Sequence, residues 1–164
     1  MRNKTTIAPV GCAALTACGL IILATSLAGA EYGPRTTIGK RYQQYSNTTS
    51  TNGINPGTCG GSSFCYVMFQ VAPQQQTLTI QHVACLVGVT PGDLNHVRLG
   101  TRKGQTFLQR YTPLVPVHTT GTWWAVNGPV MHLIKSGERP YVIIGNSQNA
   151  TNWLPSCSIS GTLR

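Results

Sequence analysis

Acidic residues are almost absent from this chain. Aspartate and glutamate contribute three of its 164 residues, against twelve lysines and arginines, so the formal net charge is +9. A glycosidase needs two carboxylates at a set separation, and after position 31 the chain offers only Asp93 in "TPGD" and Glu138 in "KSGE". Both stretches are typical of turns, in which such side chains form the turn or face solvent. The composition therefore argues against glycoside hydrolysis.

Two further chemical signatures are missing. The sequence has no G-x-S-x-G elbow, which presents the catalytic serine of many hydrolases, and no C-x-x-C pair. Metal sites are usually built from clustered His, Cys and acidic ligands, whereas His82, His96, His118 and His132 are scattered along the chain. We therefore expect no catalytic residue, no metal site and no cofactor, and a protein that is not an enzyme.

Charge of either sign is scarce. Charged residues make up 9% of the chain, against roughly 25% of an average soluble domain. The positive balance thus reflects missing acids more than a dense basic patch of the kind that neutralises phosphates. For this reason we do not expect nucleic acid as a partner.

The N-terminus has the organisation of a secretory signal peptide. The basic segment "MRNK" is followed by a run of apolar and small residues that ends in Ala28, Gly29 and Ala30, an A-x-A cleavage site. Cleavage after Ala30 would leave a secreted or periplasmic chain with no stable membrane span. Two alternatives stay open. In the first, the segment is retained as a membrane anchor, because the apolar run over 7–28 is close to the roughly 20 residues that span a bilayer. In the second, the chain is a lipoprotein, because "LTAC" resembles a lipobox with Cys18 as the lipidated residue.

Removal of this segment leaves an even set of cysteines: Cys59, Cys65, Cys85 and Cys157. Four cysteines allow three connectivities. We favour a local loop from Cys59 to Cys65 and a long-range bridge from Cys85 to Cys157. Chain entropy predicts stabilisation of about 4 kcal/mol for the long bridge and about 2 kcal/mol for the short one.

The remaining chain divides into a polar lead-in over 31–61, rich in Asn, Thr, Ser and Gly and typical of a flexible loop, and a β domain over 62–164. In the second part, short β-favouring runs alternate with turn residues, and no helical period extends over more than two turns. The pattern predicts a single antiparallel β-sandwich of about eight strands, jelly-roll or immunoglobulin-like. The predicted strands are 64–72, 77–89, 94–101, 105–112, 122–126, 130–135, 140–145 and 157–163.

The run 77–89 changes its apolar face part-way. Leu78 and Ile80 share one parity, whereas Val83 and Cys85 share the other. An extra residue in one strand restores a continuous inner face, so we predict a β-bulge near Gln81 and His82.

One hairpin is rich in basic residues. A three-residue loop over 102–104, with Gly104 left-handed, makes Leu99 face Phe107 and His96 face Arg110. Four basic side chains then line one face and the tip, which we consider either a binding surface or an ordinary solvated exterior. They are Arg98, Arg102, Lys103 and Arg110.

Adjacent tryptophans in "TGTWWAVNGPV" must point to opposite faces of a strand. Trp124 shares its parity with Val126 and Val130, so we expect it in the core and Trp123 outside. An outward Trp is either covered by a loop, such as the one with Trp153, or open as a platform for sugar rings and flexible polymers.

Together these observations favour an exported, non-catalytic binding or surface-interaction module whose ligand is a glycan or another cell-envelope polymer. The predicted contacts are Trp123, Trp153 and the basic group Arg98, Arg102, Lys103 and Arg110. The alternatives are a structural envelope protein that self-associates and an enzyme with no recognisable motif. The sequence does not determine the oligomeric state.

Overall fold

The computed structural model describes residues 32–38, 40–47, 59 and 62–164, and these residues form ten β-strands and no helix. The predicted signal peptide over 1–30, including Cys18 and the cleavage site, lies outside them. The strands are β1 (Tyr32–Ile38), β2 (Arg41–Asn47), β3 (Ser62–Met68), β4 (Leu78–Thr90), β5 (Leu94–Lys103), β6 (Thr106–Leu114), β7 (Pro116–Thr120), β8 (Trp123–Ile134), β9 (Glu138–Ala150) and β10 (Asn152–Leu163).

Two antiparallel sheets pack face to face around one core. The larger has six strands in the order β1-β2-β10-β4-β8-β7, and the smaller has four in the order β3-β9-β5-β6. Side chains of both inner faces form a single buried cluster that includes Phe69, Leu99, Ile144 and Trp153. The prediction of a single antiparallel β-sandwich is confirmed.

The strand order distinguishes the two topologies that the sequence left open. Eight strands pair from the outside inward, β2 with β10, β3 with β9, β4 with β8 and β5 with β6. Such nested pairing is that of a long antiparallel hairpin rolled up into a jelly roll. An immunoglobulin-like sandwich instead places its first two strands side by side in one sheet. Here β2 and β3 lie in different sheets, so the fold is a jelly roll.

The predicted lead-in over 31–61 is corrected for its first part, because β1 and β2 belong to the six-stranded sheet. Residues 48–58, 60 and 61 of this lead-in lie outside the described residues. Alternate residues of β2, namely Tyr42, Gln44 and Ser46, are buried. They are polar, but the Tyr42 hydroxyl donates to Gln44 Oε1 at 2.7 Å and the Ser46 hydroxyl donates to the carbonyl of Met68 at 2.8 Å. These hydrogen bonds satisfy the two hydroxyls and Gln44 Oε1, whereas Gln44 Nε2 is buried without a partner among the described residues. Because the buried side of β2 is polar, the sequence pattern lacks the usual apolar alternation.

Strand β8 combines the two predicted runs 122–126 and 130–135. The sequence separates these two runs by the turn-favouring residues "NGP", yet β8 continues through them. Strand β7, which was not predicted, pairs only with Trp123–Val126 of β8. Among the described residues, β8 has no partner on this side beyond Val126, and Pro129 lies in that unpaired stretch of the edge, where proline is tolerated.

The predicted bulge in β4 is present. Relative to β10, the register shifts by one residue between Ile80 and His82. Ile80 and Val83 are both fully buried, whereas Gln81 between them is exposed. Opposite this bulge lies Gly161, where an added Cβ would collide with the carbonyl oxygen of Thr79.

Both predicted disulfides are present. Cys59 is bonded to Cys65, and Cys85 is bonded to Cys157 across 72 residues of sequence. Cys85 and Cys157 lie directly opposite each other on β4 and β10, the two central strands of the six-stranded sheet. Two disulfides in one domain are typical of an oxidising compartment. In the part of the chain that the structure describes, no helix could cross a membrane.

Candidate ligand-binding face

The outer face of the four-stranded sheet carries a group of aromatic side chains. In β3, Cys65 and Val67 face the core, so the alternate residues Phe64 and Tyr66 point away from it. The same alternation places Tyr141 of β9 and two residues of β6 on this outer side. We call Phe64, Tyr66, Phe107, Tyr111 and Tyr141 the aromatic face.

Tyr141 is the base of this face. It lies opposite Gly100, where an added Cβ would come within 2.5 Å of the Tyr141 ring, so only glycine leaves room for it. The Phe107 ring meets Tyr141 edge-on at a centroid distance of 5.1 Å, and Tyr66 lies 5.4 Å from Phe107 and 5.9 Å from Tyr141. Tyr141 is consequently only 1% exposed although it points away from the core.

Two tyrosine hydroxyls of this face, those of Tyr66 and Tyr141, have a raised pKa. Burial is the main cause that raises the pKa of Tyr141, and a hydrogen bond and charge repulsion with Tyr111 raise it further. The pKa of Tyr66 is also raised, first by burial and then by Tyr111. Tyr66 and Tyr141 are therefore neutral near pH 7.

Three rings remain open to solvent. Phe64, Phe107 and Tyr111 expose 43%, 42% and 44% of their surface. The rings of Phe107 and Tyr111 belong to the edge strand β6, and Phe64 belongs to the opposite edge strand β3. The rings thus extend across the sheet from one edge to the other.

Three arginines share the outer side with these rings: Arg98, Arg102 and Arg139, which pairs with Arg102. Arg102 is 6% exposed, with its guanidinium carbon 5.3 Å from the Phe107 ring centroid. It donates hydrogen bonds to the carbonyl of Gly104 at 2.8 Å and to Gln105 Oε1 at 2.6 Å. Arg98 is exposed, and its neighbours on the adjacent strands are Ile143 and Pro113.

His96 completes this side of the sheet. Its ring lies against Gly145, where a Cβ would collide with it, and 5.5 Å from the ring of Phe64. Burial, and secondarily the charge of Arg98, lower the pKa of His96. His96 is thus neutral near pH 7 and continues the aromatic surface.

The predicted basic face is only partly assembled. The hairpin loop contains two residues rather than three, because Lys103 pairs with Thr106, although Gly104 has the predicted positive φ of 58°. Two extra residues of β6 between Leu108 and Tyr111 then shift the register, since Thr101 pairs with Leu108 and Gly100 pairs with Tyr111. Leu99 therefore pairs with Thr112 instead of facing Phe107.

This register shift moves one of the four basic residues, Arg110, to the inner side of the sheet. Arg98 and Arg102 stay together on the outer side, and Lys103 is exposed at the tip. Arg110 turns inward and forms an ion pair with Glu138 at 2.6 Å, so it does not face His96 as predicted. His96 instead pairs with Gly145 of β9.

The tryptophans lie elsewhere. Trp124 packs against the core, and Trp123 lies on the outer side of the six-stranded sheet, where its ring comes within 3.1 Å of a Cβ placed on Gly88. Trp153, predicted as a ligand contact on a loop, instead lies on β10 opposite Val89 and has 0% exposure. A ring in the core cannot stack on a surface ligand.

A polar cluster lies between the sheets near the β8–β9 turn. The two ring nitrogens of His132 are each 2.8 Å from a threonine hydroxyl, Nε2 from Thr101 and Nδ1 from Thr112. Neutral imidazole has one donor and one acceptor nitrogen, so these two hydroxyls satisfy it. Glu138 accepts hydrogen bonds from Arg110 at 2.6 Å and from the backbone amide of Lys135 at 2.8 Å. The cluster is fully partnered and serves the fold.

This cluster predicts acid sensitivity. Burial, and then the charge of Arg110, lower the pKa of His132. In the unfolded chain the imidazole takes up a proton below about pH 6.5, whereas in the folded protein it does so only at lower pH. The stabilisation that neutral His132 contributes is therefore fully present above pH 6.5, and it decreases as the pH falls towards the lower pKa of the folded state.

Glu138 adds a second, more acidic step. Burial alone would raise its pKa, but the hydrogen bonds from Lys135 and Arg110 outweigh burial and lower it. The stabilisation that ionised Glu138 contributes is present above pH 4.5, its ordinary pKa, and is lost as the pH falls through the lower pKa of the folded state.

Thermal unfolding of the wild type and of His132→Gln should differ in pH dependence between pH 7.5 and 5.5, with the wild type losing more stability. Parallel profiles would contradict the role of His132; His118→Gln, which changes an exposed histidine, is the control.

Within residues 32–38, 40–47, 59 and 62–164, no group of three His, Cys, Asp or Glu side chains could hold a metal ion. Comparisons with protein-family models, with curated proteins and with solved structures return no significant match.

Proposed function

We propose that this protein is an exported, non-catalytic binding domain whose aromatic face holds a glycan or another cell-envelope polymer. Export to the periplasm or the exterior is supported by the N-terminal signal pattern and the two disulfides. Lectin domains are among the proteins that use the jelly roll. Because one fold hosts many functions, the proposal depends on the surface and not on this analogy.

The observation that carries the proposal is the open row of rings above the buried Tyr141. Exposed apolar surface gains free energy when a ligand covers it, and the C–H face of a sugar ring is such a ligand. The rings of Phe107 and Tyr66 are already fixed by contact with Tyr141. Little side-chain entropy is therefore lost when a ligand binds, which favours affinity.

A catalytic role has weak support by comparison. Of the carboxylates in the described ranges, Glu138 is paired with Arg110 between the sheets, and Asp93 precedes β5, where its backbone bonds to Ser147. Neither lies among the rings of the aromatic face. This face can hold a polymer but offers no pair of acids to cleave it.

The test is a binding measurement with aromatic variants. Calorimetric titration of residues 31–164 with glycans selected on an array should give a Kd that Phe107→Ala and Tyr111→Ala each weaken by roughly ten-fold to a hundred-fold, the loss typical of a central aromatic contact. Unchanged heat denaturation of the variants shows that the fold is intact.

Two control variants lie on the other sheet. Leu86→Ala removes a side chain that is 48% exposed there and should leave the Kd unchanged. Trp123→Ala tests the platform that the sequence predicts. Loss of binding in Trp123→Ala together with normal binding in Phe107→Ala would place the ligand on the six-stranded sheet and refute the proposal for the aromatic face.

A self-associating structural role is the second candidate, and one observation favours it. The outer side of the six-stranded sheet exposes Tyr45 at 42%, Leu86 at 48%, Val117 at 60% and Leu154 at 40%. Exposed apolar surface of this kind is typical of contact sites. Sedimentation velocity would reveal concentration-dependent dimers that Leu86→Asp dissolves, whereas a pure binding domain stays monomeric.

A further inference from the structure

We infer that the ligand of the aromatic face is an acidic glycan, whose carboxylates are held by Arg98. This inference rests on the proposed function and adds the charge of the ligand to it.

In residues 32–38, 40–47, 59 and 62–164, the two carboxylate side chains do not balance the positive charge on the outer side. Arg98, Arg102 and Arg139 point outward, whereas Glu138 lies between the sheets with Arg110. Asp93 lies in the turn that precedes β5, and its backbone is bonded to Ser147 of β9. Unbalanced charge of one sign attracts ligands of the opposite sign.

Arg98 is the side chain positioned to make the contact. It is exposed, it stands between Ile143 of β9 and Pro113 of β6, and no hydrogen bond or ion pair of its guanidinium occurs among the described residues. Neighbours that are apolar do not compete for its donors. A guanidinium presents a planar fork of N–H groups that matches the two oxygens of a carboxylate.

Arg102 has a different task. Its donors are already bonded to Gly104 and Gln105, and its plane lies near Phe107. Because it is almost completely buried, it acts as a positioning residue that orients the Phe107 ring and adds positive potential beneath the ligand. The rings and Arg98 together fit a polymer that alternates C–H faces with carboxylates, as polyuronates do.

The experiment compares matched ligands. Hexamers of galacturonate, mannuronate and glucuronate are each titrated beside the same hexamer after reduction of its carboxylates to alcohols, at 50 and 300 mM NaCl. At least one acidic hexamer should bind about ten-fold more tightly than its reduced form, the advantage of a hydrogen bond to a charged group. High salt should weaken only the acidic member of the pair.

Variants assign the charge preference to one residue. Arg98→Gln should remove the preference and bring both hexamers of a pair to the same Kd, and Arg98→Lys should keep part of it. Arg41→Gln changes an exposed arginine of the other sheet and should preserve the preference. Phe107→Ala should weaken the acidic and the reduced hexamer by the same factor.

The outcomes separate the two proposals. If glycans bind through Phe107 but acidic and reduced forms have equal affinity, or if Arg98→Gln keeps the preference, the inference is wrong and the proposed function stands. If no glycan binds, both fail. Tighter binding of a dT12 oligonucleotide than of any hexamer, lost in Phe107→Ala, would overturn the inference in favour of single-stranded nucleic acid.

Discussion

Replacement of Cys85 and Cys157 by alanine is expected to lower the free energy of unfolding by about 4 kcal/mol. The bridge closes a loop of 72 residues, and its loss releases the entropy that this loop restricts in the unfolded chain. It also joins β4 to β10 at the centre of the larger sheet. The midpoint of thermal unfolding should fall by roughly 10–20 °C.

The second disulfide supplies the control. Cys59 and Cys65 are separated by six residues, and their replacement by alanine should cost only about 2 kcal/mol because a short loop restricts the unfolded chain less. Urea denaturation of both double variants gives the two values. A larger loss for the short loop would show that loop entropy does not govern the stability of this domain.

Gly161→Ala is expected to cost about 3 kcal/mol, at the upper end of the range for overpacked sites. The new methyl group would collide with the carbonyl oxygen of Thr79 and approach the Cα of Ile80 to 2.9 Å. Both belong to β4, which is paired on either side by β10 and β8. This backbone cannot move away without breaking ladder hydrogen bonds, so the β-bulge itself is disturbed.

Gly128→Ala is the matched substitution. Gly128 lies on β8 of the same sheet, opposite Val83, and a Cβ there meets nothing within 4 Å. The free energy of unfolding should change by less than about 0.5 kcal/mol. An equal decrease in the free energy of unfolding of the two variants would contradict this explanation. It would mean that any methyl group added to this sheet is destabilising, whether or not it contacts Thr79.

Strands with an apolar inner side could be predicted from the sequence. Alternation placed Cys85 and Cys157 inward, which correctly gave their disulfide, and the change of parity after Ile80 gave the bulge. Strand β2 escaped prediction because Tyr42, Gln44 and Ser46 are buried through hydrogen bonds. A polar inner side has no periodicity that hydrophobicity can reveal.

The candidate site could be predicted only in part. Arg98 and Arg102 follow from the parity of one strand, whereas the side of Arg110 depends on extra residues in β6 that nothing in "QTFLQRYT" indicates. The aromatic face combines residues of three strands in an order set by the jelly roll. The alternation of Phe64, Cys65 and Tyr66 was a local signal for it, but only the strand order brings Tyr66 to Phe107.

The nested pairing of strands also determines when this chain can fold. Gln43 near the start of the sandwich pairs with Ser160 near its end, and β10 separates β2 from β4 in the larger sheet. No subset of early strands can complete that sheet while the ribosome is still adding residues. Chains dominated by such distant contacts fold slowly. Slow folding suits the export proposed above, because a chain that is still unfolded is competent for translocation and its four cysteines can be oxidised afterwards.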